Sequence, residues 1–357
     1  MPAVCGCDNM LSELQEPKGG YHAMRLGSWT WLVLAALLWA GPQAGFTEPI
    51  RVLAAENFYG DVAQQVGGPR VTVSSVLQNP NQDPHLFQAG ASTARAVANA
   101  NIVILNGAGY DHWMDALLKG SRSDGRAVIR VDALVKFQAG DNPHLWYRLK
   151  AMRLLAGRLA DVMGQMDPQH RRAYLDRGRA FVHSLRALMR EVVLLKTQYG
   201  GLPVAATEPV FGYMAAAIGL AMKENGFQTA IMNDVEPSAS QLIQFENDLR
   251  RHRVKVLIYN RQVTDRRTLR LRHAAQAAGI PSVGVTETMP PGRTYQSWML
   301  EQLHALGEAL QSVVHGRSSN GRAAAQPSRQ GLARAPRKTR GALRHRDVAL
   351  AIKHLSA

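Results

Sequence analysis

The run I-V-I-L-N-G at residues 102–107 decides the fold class, because four consecutive apolar residues end at an asparagine and a glycine. A short, continuous apolar run is typical of a parallel strand that is buried on both faces of its sheet. Further strand patterns lie at 50–55, 71–77 and 127–131, and helical spacing lies at 59–66, 92–99 and 113–119. This alternation of strand and helix predicts an α/β layered domain.

The second half of the chain repeats the alternation. Strand patterns lie at 202–207, 254–259 and 282–286, and helical spacing lies at 213–221, 241–252, 267–278 and 295–314. Gly200-Gly201 separates this half from a strand-free middle segment. We therefore expect a second α/β domain at 200–315, matching a first domain at 45–165.

The middle segment predicts a long helix over 166–199. Asp167-Pro168 is a helix-start pattern, and the following residues contain one glycine, Gly178, before residue 198. A helix of this length would span roughly 45 Å at 1.5 Å per residue. Its many charged residues indicate a solvated surface. The resulting expectation is two layered α/β domains joined by one long rigid helix, with a cleft between them.

The net charge of +15 does not predict a nucleic-acid partner, because much of the excess lies in one segment. Residues 316–357 hold ten Lys or Arg residues against a single acid, Asp347. Their Arg-, Ala- and Ser-rich composition predicts a basic disordered tail. We expect no nucleic acid among the partners of this chain.

The N-terminal region indicates export. Met24-Arg25 precedes a twelve-residue apolar run at 29–40, and small residues follow up to Ala44, which is the pattern of a cleavable signal peptide. We expect residues 1–44 to comprise an upstream segment and a signal peptide that starts at Met24, and the mature chain to be periplasmic. Both cysteines, Cys5 and Cys7, precede the expected cleavage point, so the mature chain would offer no thiolate ligands.

Four loops that follow strand patterns carry candidate metal ligands. His85 ends N-P-N-Q-D-P-H, His144 ends D-N-P-H, Glu208 lies in A-T-E-P, and Glu287 lies in V-T-E-T-M-P-P. Prolines stiffen all four loops, which lowers the entropy lost when a ligand is fixed. Because α/β folds bind ligands at the carboxyl ends of their strands, two imidazoles and two carboxylates drawn from both domains could close around one ion.

Each candidate also has an ordinary structural interpretation. Either histidine could be a loop residue that is hydrogen-bonded to backbone, Glu208 could cap a helix near Phe211, and Glu287 could be a solvated turn acid. We expect His112 to be an exposed helix-start residue. We expect Tyr110 and Trp113 to pack in the core, with a place at the mouth of the cleft as the alternative, and His170 and His183 to be solvated.

Seven separated motifs carry a family resemblance. They are E-N-F-Y-G-D-V-A-Q-Q-V-G-G (56–68), N-P-N-Q-D-P-H-L-F (79–87), N-G-A-G-Y-D-H-W-M (106–114), N-P-H-L-W-Y (142–147), E-P-V-F-G-Y-M (208–214), E-P-S-A-S-Q-L (236–242) and G-R-T-Y-Q-S-W-M (292–299). In this order they resemble the zinc- and manganese-binding substrate-binding proteins of ABC transporters. The resemblance covers about residues 50–312.

The resemblance implies a fold, a cargo and partners. The family's fold is two α/β domains joined by one long rigid helix, and its members bind one divalent transition metal ion in the cleft. The family's ligands fall on His85, His144, Glu208 and Glu287, although the last position is typically an aspartate. Carboxylates favour Mn²⁺ and imidazoles favour Zn²⁺, so both metals stay open, with a slight preference for manganese. Expected partners are a membrane permease and an ATPase, and the carrier itself is expected to be a monomer.

Two alternatives from other classes stay open at the level of sequence. A zinc-dependent hydrolase would use similar ligands but would need an open coordination position and a general base. Asp83 and Asp141 are the acids nearest to the histidines in sequence. The second alternative is a metal-binding adhesin-type surface protein, a role associated with relatives of this family.

Overall fold

A computed structural model describes residues 48–319 except 82 and 234, with side chains described up to residue 314. The expected signal peptide, Met24 and both cysteines lie outside the described residues, as does the expected tail beyond residue 319. In the described part, no helix combines the length and apolarity that a membrane crossing requires. The compact unit that starts at Pro49 contains two parallel sheets. We call each sheet, together with the helices that pack against it, a lobe; the first lobe precedes the second in the chain.

The first lobe contains a four-stranded parallel sheet in the order β2-β1-β3-β4. Its strands are β1 (Ile50–Glu56), β2 (Val71–Leu77), β3 (Ile102–Leu105) and β4 (Ala127–Arg130). Its first helices are α1 (Asn57–Gly67), α2 (Ala91–Asn99), α3 (His112–Gly120) and α4 (Val131–Val135). The strand order reverses direction at β1 and β3, which is where open α/β sheets form a binding crevice.

The decisive apolar run is strand β3, and all four of its residues are fully buried. Ile102 and Ile104 pack into one apolar cluster, whereas Val103 and Leu105 pack into another. Successive side chains of a strand point to opposite faces, so the two clusters lie on the two sides of the sheet. This confirms the expectation of a parallel strand that is covered on both faces.

The second lobe repeats the arrangement in the order β6-β5-β7-β8, again fully parallel. Its strands are β5 (Pro203–Ala206), β6 (Ala221–Lys223), β7 (Val256–Asn260) and β8 (Ser282–Val285). Its helices, numbered after the three connecting helices, are α8 (Gly212–Ile218), α9 (Asn225–Met232), α10 (Ala239–Arg250), α11 (Arg266–Ala277) and α12 (Tyr295–Ser319). The sequence patterns missed β6 and α9. The predicted fold class of two parallel-sheet α/β lobes is confirmed.

Three helices connect the lobes: α5 (Leu149–Met166), α6 (Arg171–Ser184) and α7 (Arg186–Tyr199). The single helix expected over 166–199 is therefore divided at Leu185, although the backbone of that residue stays in the right-handed helical region. Helix α6 packs against α5 and α1 of the first lobe, whereas α7 packs against α8 and α12 of the second. The division marks the point where the chain changes packing partners.

The connecting segment is not the solvated helix that its charges indicated. Tyr174, Phe181, Leu188 and Val192 are buried, because each helix presents an apolar stripe to the lobe beneath it. Most of the charged residues cover the outer surface, whereas Arg177 is half-buried and donates to the carbonyl oxygens of Val66 and Gly67 in the first lobe. That expectation was wrong because charge content alone does not reveal an apolar stripe of helical period.

Aromatic residues join the two lobes through one continuous core. Phe58 packs against Trp146 and Trp298, and Tyr147 packs against Phe211 of the second lobe. The Tyr147 hydroxyl lies 2.8 Å from the carbonyl oxygen of Thr286, the residue before Glu287. Because this packing holds the two lobes together in this structure, strand ends from both lobes can form one preorganised site.

Candidate metal centre

His85 is held by a short turn that follows β2. Pro84 begins a 3-10 turn, Pro84–Leu86, and the Asp83 side chain accepts a 2.9 Å hydrogen bond from the backbone N–H of His85. An aspartate that caps the N–H two residues later is a self-contained turn, and the proline fixes the backbone between them. The imidazole is thereby presented with 46 % of its side-chain surface exposed.

His144 is held by the same kind of turn, in which Asn142 takes the place of Asp83. The Asn142 Oδ1 atom accepts from the His144 backbone N–H at 3.0 Å and lies 2.6 Å from its Nδ1 atom. The Asn142 Nδ2 atom donates to the Pro209 carbonyl oxygen, so Oδ1 must face the ring and Nδ1 carries the proton. The buried Nε2 atom makes no hydrogen bond among the described residues and lies 3.5 Å from Glu287 Oε2.

Glu287 lies just beyond β8 and is only 1 % exposed. Its Oε2 atom accepts from the Tyr110 hydroxyl at 2.9 Å, and its Oε1 atom accepts from Asn260 Nδ2 at 2.6 Å. Its backbone N–H donates to Gln262 Oε1. Glu287 is therefore a buried, networked acid, and the interpretation as a solvated turn acid was wrong.

Glu208 follows β5 at the position that precedes the 3-10 turn Pro209–Phe211. Its side chain makes no capping hydrogen bond to that turn, which removes the capping interpretation. One carboxylate oxygen, Oε2, instead accepts from Asn260 Nδ2 at 3.0 Å. The same amide group thus contacts the side chains of both candidate acids.

Three of the four predicted ligands converge on one point. One ligand atom from each of His85, His144 and Glu287 can be chosen so that all lie within 4.8 Å of one another. The Nε2 atoms of both histidines lie 3.5 Å from Glu287 Oε2. Glu208 lies outside this triple but lines the same cavity. Imidazole nitrogens and carboxylate oxygens are donors that divalent transition metals accept, so the residues fit such an ion.

The close approach of these groups changes their pKa values. Burial opposes ionisation of Glu287, yet contacts from His144 and His85 hold the pKa of its carboxyl well below its ordinary range. Burial lowers the pKa of His85, but the Glu287 carboxylate outweighs it and raises that pKa to about 9. Burial and the Glu287 charge raise the pKa of Glu208 to about 7. Metal-free protein therefore holds a proton on His85 against Glu287.

His85, His144 and Glu208 line a cavity of about 500 Å³ between the lobes, and Glu287 lies buried beside the two histidines. The first lobe contributes Asp83, Tyr110 and Pro143 beside the histidines. The second lobe contributes apolar residues of and after α9, namely Ile231, Met232 and Val235. Near the rim, Arg267 pairs with Glu236 and Asp265. The space exceeds the roughly 30 Å³ that one water molecule occupies, so a hydrated ion can enter it.

Sequence patterns missed several residues that organise the site. Tyr110 was expected in the core, with a place at the mouth of the cleft as the alternative; it is buried, it lines the cavity, and its hydroxyl contacts Glu287, a contact that was not predicted. Asn142, Asn260 and Gln262 were not singled out at all. Asn142 stands two residues before His144, and Asn260 ends β7, so the strand-end rule that selected the four ligands could also have selected Asn260.

The other histidines and Trp113 match their expectations more closely. His112 begins α3 and is exposed, and His183 is exposed on α6. Trp113 packs in the core of the first lobe. His170, expected to be solvated, is only partly exposed, because its Nδ1 atom pairs with Asp167 at 2.9 Å.

Comparison with known protein families agrees with this geometry. Residues 52–309 match the family described as zinc-uptake complex component A, periplasmic. The chain belongs to this family. The match spans both lobes and includes all four predicted ligands.

Individual relatives are distant in sequence. The metal ABC transporter substrate-binding lipoprotein ScbA of Streptococcus cristatus is 21 % identical over 286 residues, covering 73 % of this chain and 89 % of that protein. The solved periplasmic zinc-binding protein TroA of Treponema pallidum is 20 % identical, with a TM-score of 0.63, and the match covers 74 % of this chain and 99 % of TroA.

A further solved structure is the substrate-binding protein FpvC of Pseudomonas aeruginosa in complex with Mn²⁺. It is 21 % identical, with a TM-score of 0.61, and the match covers 74 % of this chain and 99 % of FpvC. At this level of identity the structural likeness establishes the shared two-lobed fold.

Proposed function

We propose that this protein is a periplasmic substrate-binding protein that captures one divalent transition metal ion, Zn²⁺ or Mn²⁺, and delivers it to an ABC importer. The observation that carries the proposal is the convergence of His85, His144 and Glu287, one ligand atom each, within 4.8 Å beside the interlobe cavity. Family membership supports the same assignment.

The ligand set of the proposal is His85, His144, Glu208 and Glu287. Metal–nitrogen and metal–oxygen bonds of about 2 Å require ligand atoms that lie a few ångströms apart around the ion. Three of the residues already satisfy this spacing. Glu208 lines the same cavity as the histidines, and the Asn260 amide that contacts Glu208 also contacts Glu287.

The origin of the ligands suits a carrier. The first lobe supplies both histidines, and the second supplies both acids. An ion bound between them links the lobes, so a movement that separates the lobes would split the ligand set and release the ion. A carrier must release its ion to a membrane permease that is driven by an ATPase. We propose these two subunits as the partners of this protein.

Export through a cleavable signal peptide completes the proposal. The substrate-binding relatives are described as lipoproteins or periplasmic proteins. The signal pattern at 24–44 supports the same compartment for this chain.

The alternatives receive no specific support from the described residues. A hydrolase would need a base beside the ion, and the nearby Asp83 carboxylate already accepts the backbone N–H of His85. The adhesin-type alternative concerns surface display, on which the geometry of the cavity gives no information. We therefore retain capture and delivery of a metal ion as the single proposed function.

The test is the metal content of purified protein and of two matched histidine variants. Elemental analysis of the wild type should find one divalent transition metal ion per chain after loading and desalting. His85→Ala should lose this ion, whereas His112→Ala, which removes an exposed imidazole from helix α3, should keep it. Equal metal binding by His85→Ala and the wild type would refute the proposal.

A further inference from the structure

Asn260 bridges the two candidate acids of the second lobe. Its Nδ2 atom donates to Glu208 Oε2 at 3.0 Å and to Glu287 Oε1 at 2.6 Å. A primary amide has two N–H donors, so these contacts use both of them. Asn260 is 1 % exposed, which shields both hydrogen bonds from competing water.

The orientation of this amide is fixed by its other end. The backbone N–H of Gln262 donates to Asn260 Oδ1 at 3.0 Å. A backbone N–H can only donate, so the oxygen must face Gln262 and the NH₂ group must face the acids. The next turn of chain therefore dictates which atoms the acids meet.

In each acid, one carboxylate oxygen accepts a hydrogen bond from Asn260 and the other oxygen does not. Glu287 Oε1 points to Asn260, whereas Oε2 points to the cluster of His85 and His144, whose Nε2 atoms lie 3.5 Å away, and also accepts from the Tyr110 hydroxyl at 2.9 Å. Glu208 Oε2 is likewise occupied, which leaves Oε1 for other partners. Turning either carboxylate so that both of its oxygens face one ion would strain its buried hydrogen bond to Asn260, which is costly.

We propose that Asn260 is a specificity-determining residue that restricts both acids to one-oxygen coordination and thereby favours Zn²⁺ over Mn²⁺. This inference rests on the proposed function. Two imidazole nitrogens and two single oxygens give four ligands, the number that Zn²⁺ adopts in tetrahedral sites. Mn²⁺ is typically held by more oxygen atoms in octahedral geometry, and two-oxygen carboxylates would supply them.

Removing the amide tests the restriction directly. In Asn260→Ala both acids lose a donor and can rotate, so each can offer two oxygens. We expect Zn²⁺ affinity to fall about 10- to 100-fold, as is usual when a residue that orients metal ligands is lost. Mn²⁺ affinity should fall less, because the freed oxygens compensate. The ratio of Zn²⁺ to Mn²⁺ affinity should therefore drop by roughly tenfold or more.

The experiment is a competition titration of both metals against a chelating dye, performed on the wild type, Asn260→Ala and Asn247→Ala. Asn247 is a half-buried residue of helix α10 in the same lobe and is not among the cavity-lining residues, so its variant controls for general damage. An unchanged Zn²⁺ to Mn²⁺ ratio in Asn260→Ala would overturn the inference.

A second measurement does not depend on any variant. X-ray absorption at the zinc edge of loaded wild-type protein should find four nitrogen or oxygen neighbours at about 2.0–2.1 Å. Five or six neighbours would overturn the inference even if the variant failed to fold. Failure of the wild type to bind either metal would instead refute the proposed function, so the two failures can be told apart.

Discussion

The two lobes share one strand order but build their halves of the site differently. In the first lobe, each histidine sits in a local turn, Asp83-Pro84-His85 or Asn142-Pro143-His144, whose first side chain accepts the N–H of the histidine. In the second lobe, the acids are positioned by side chains that are distant in sequence, above all by Asn260. The imidazole half is thus set by local backbone, and the carboxylate half by long-range contacts.

This difference predicts which substitutions should disturb each half of the site. A local turn depends on three consecutive residues and can form before the lobes meet. The carboxylate network requires β5, β7 and the segment after β8 to be in register, because Asn260 ends β7 while its partners follow the other two strands. Substitutions in the second lobe should therefore affect metal binding through more partners than substitutions in the first.

Substitutions of the two acids should lower metal affinity by different amounts, and the loss at Glu287 should exceed that of any other substitution considered below. Glu287→Gln should weaken binding of either metal about 100-fold or more, because it removes the charge that faces both imidazoles. Glu208→Gln should cost roughly tenfold, because Glu208 lies outside the converged triple. Calorimetric titration of both variants with Zn²⁺ would check the ranking.

The two variants control for each other, since each replaces one buried carboxylate that contacts Asn260. If Glu208→Gln proved as damaging as Glu287→Gln, the two acids would contribute equally. The central position that we assign to Glu287 would then be incorrect.

The next effect tests the locally built half. Asn142→Ala should weaken metal binding about 10- to 100-fold, because His144 loses the acceptor that fixes its Nδ1–H tautomer. Asn142→Asp keeps an acceptor for the ring but loses the donor to the Pro209 carbonyl oxygen. It should therefore retain more affinity than Asn142→Ala. The same dye competition measures both variants, and equal losses would show that Asn142 acts through the lobe contact rather than through the imidazole.

The pH dependence of metal affinity tests whether the imidazole half of the site carries a proton in the metal-free protein. The Glu287 carboxylate raises the pKa of His85 to about 9, so a metal ion must displace a proton from this imidazole at neutral pH. Apparent affinity should rise about tenfold per pH unit between pH 7 and 9 and then level off. Calorimetry in buffers of different ionisation enthalpy should find about one proton released per ion at pH 8. Zero release at that pH would contradict the expected His85–Glu287 contact.

Much of the fold could be predicted from the sequence because its signals are local. The apolar run of β3 and the turn residues before both histidines lie within a few positions of one another. The capping of α10 by Ser238, whose side chain accepts from the backbone N–H of Gln241, is equally local. Such features depend on propensity and hydrogen bonds that short segments make by themselves.

The features that could not be predicted depend on tertiary contacts. Asn260 bridges residues 52 positions before it and 27 positions after it, and no short pattern encodes such a bridge. The division at Leu185 occurs where the chain passes from one lobe to the other, without a proline or glycine to mark it. The sequence pattern could select the four candidate ligands, but not the amide that contacts two of them.

The weakest of these predicted effects concerns thermal stability and follows from a contrast between two buried acids, Glu287 and Glu56. Glu287 receives donors on both oxygens, whereas Glu56, at the end of β1, is 1 % exposed and has no hydrogen-bond donor to either oxygen among the described residues. Burial, reinforced by the charge of Asp111, raises the pKa of Glu56 well above its ordinary value. The folded state therefore keeps a proton that the unfolded chain loses above its own pKa of about 4.5.

Retention of this proton costs stability as pH rises, by about 1.4 kcal/mol per unit between the unfolded and folded pKa values of Glu56. Glu56→Gln carries no titratable proton, so metal-free variant protein should unfold at a higher temperature than the wild type at pH 7. The gain should be about 2 °C or more and should shrink toward pH 4, where both states of the wild type are protonated. Thermal unfolding followed by circular dichroism would measure it, with Glu308→Gln on the exposed side of α12 as a control that should not shift. If the gain in unfolding temperature stayed constant from pH 4 to pH 7, it would have to come from packing of the glutamine side chain. The proton on Glu56 would then not account for the effect of the substitution.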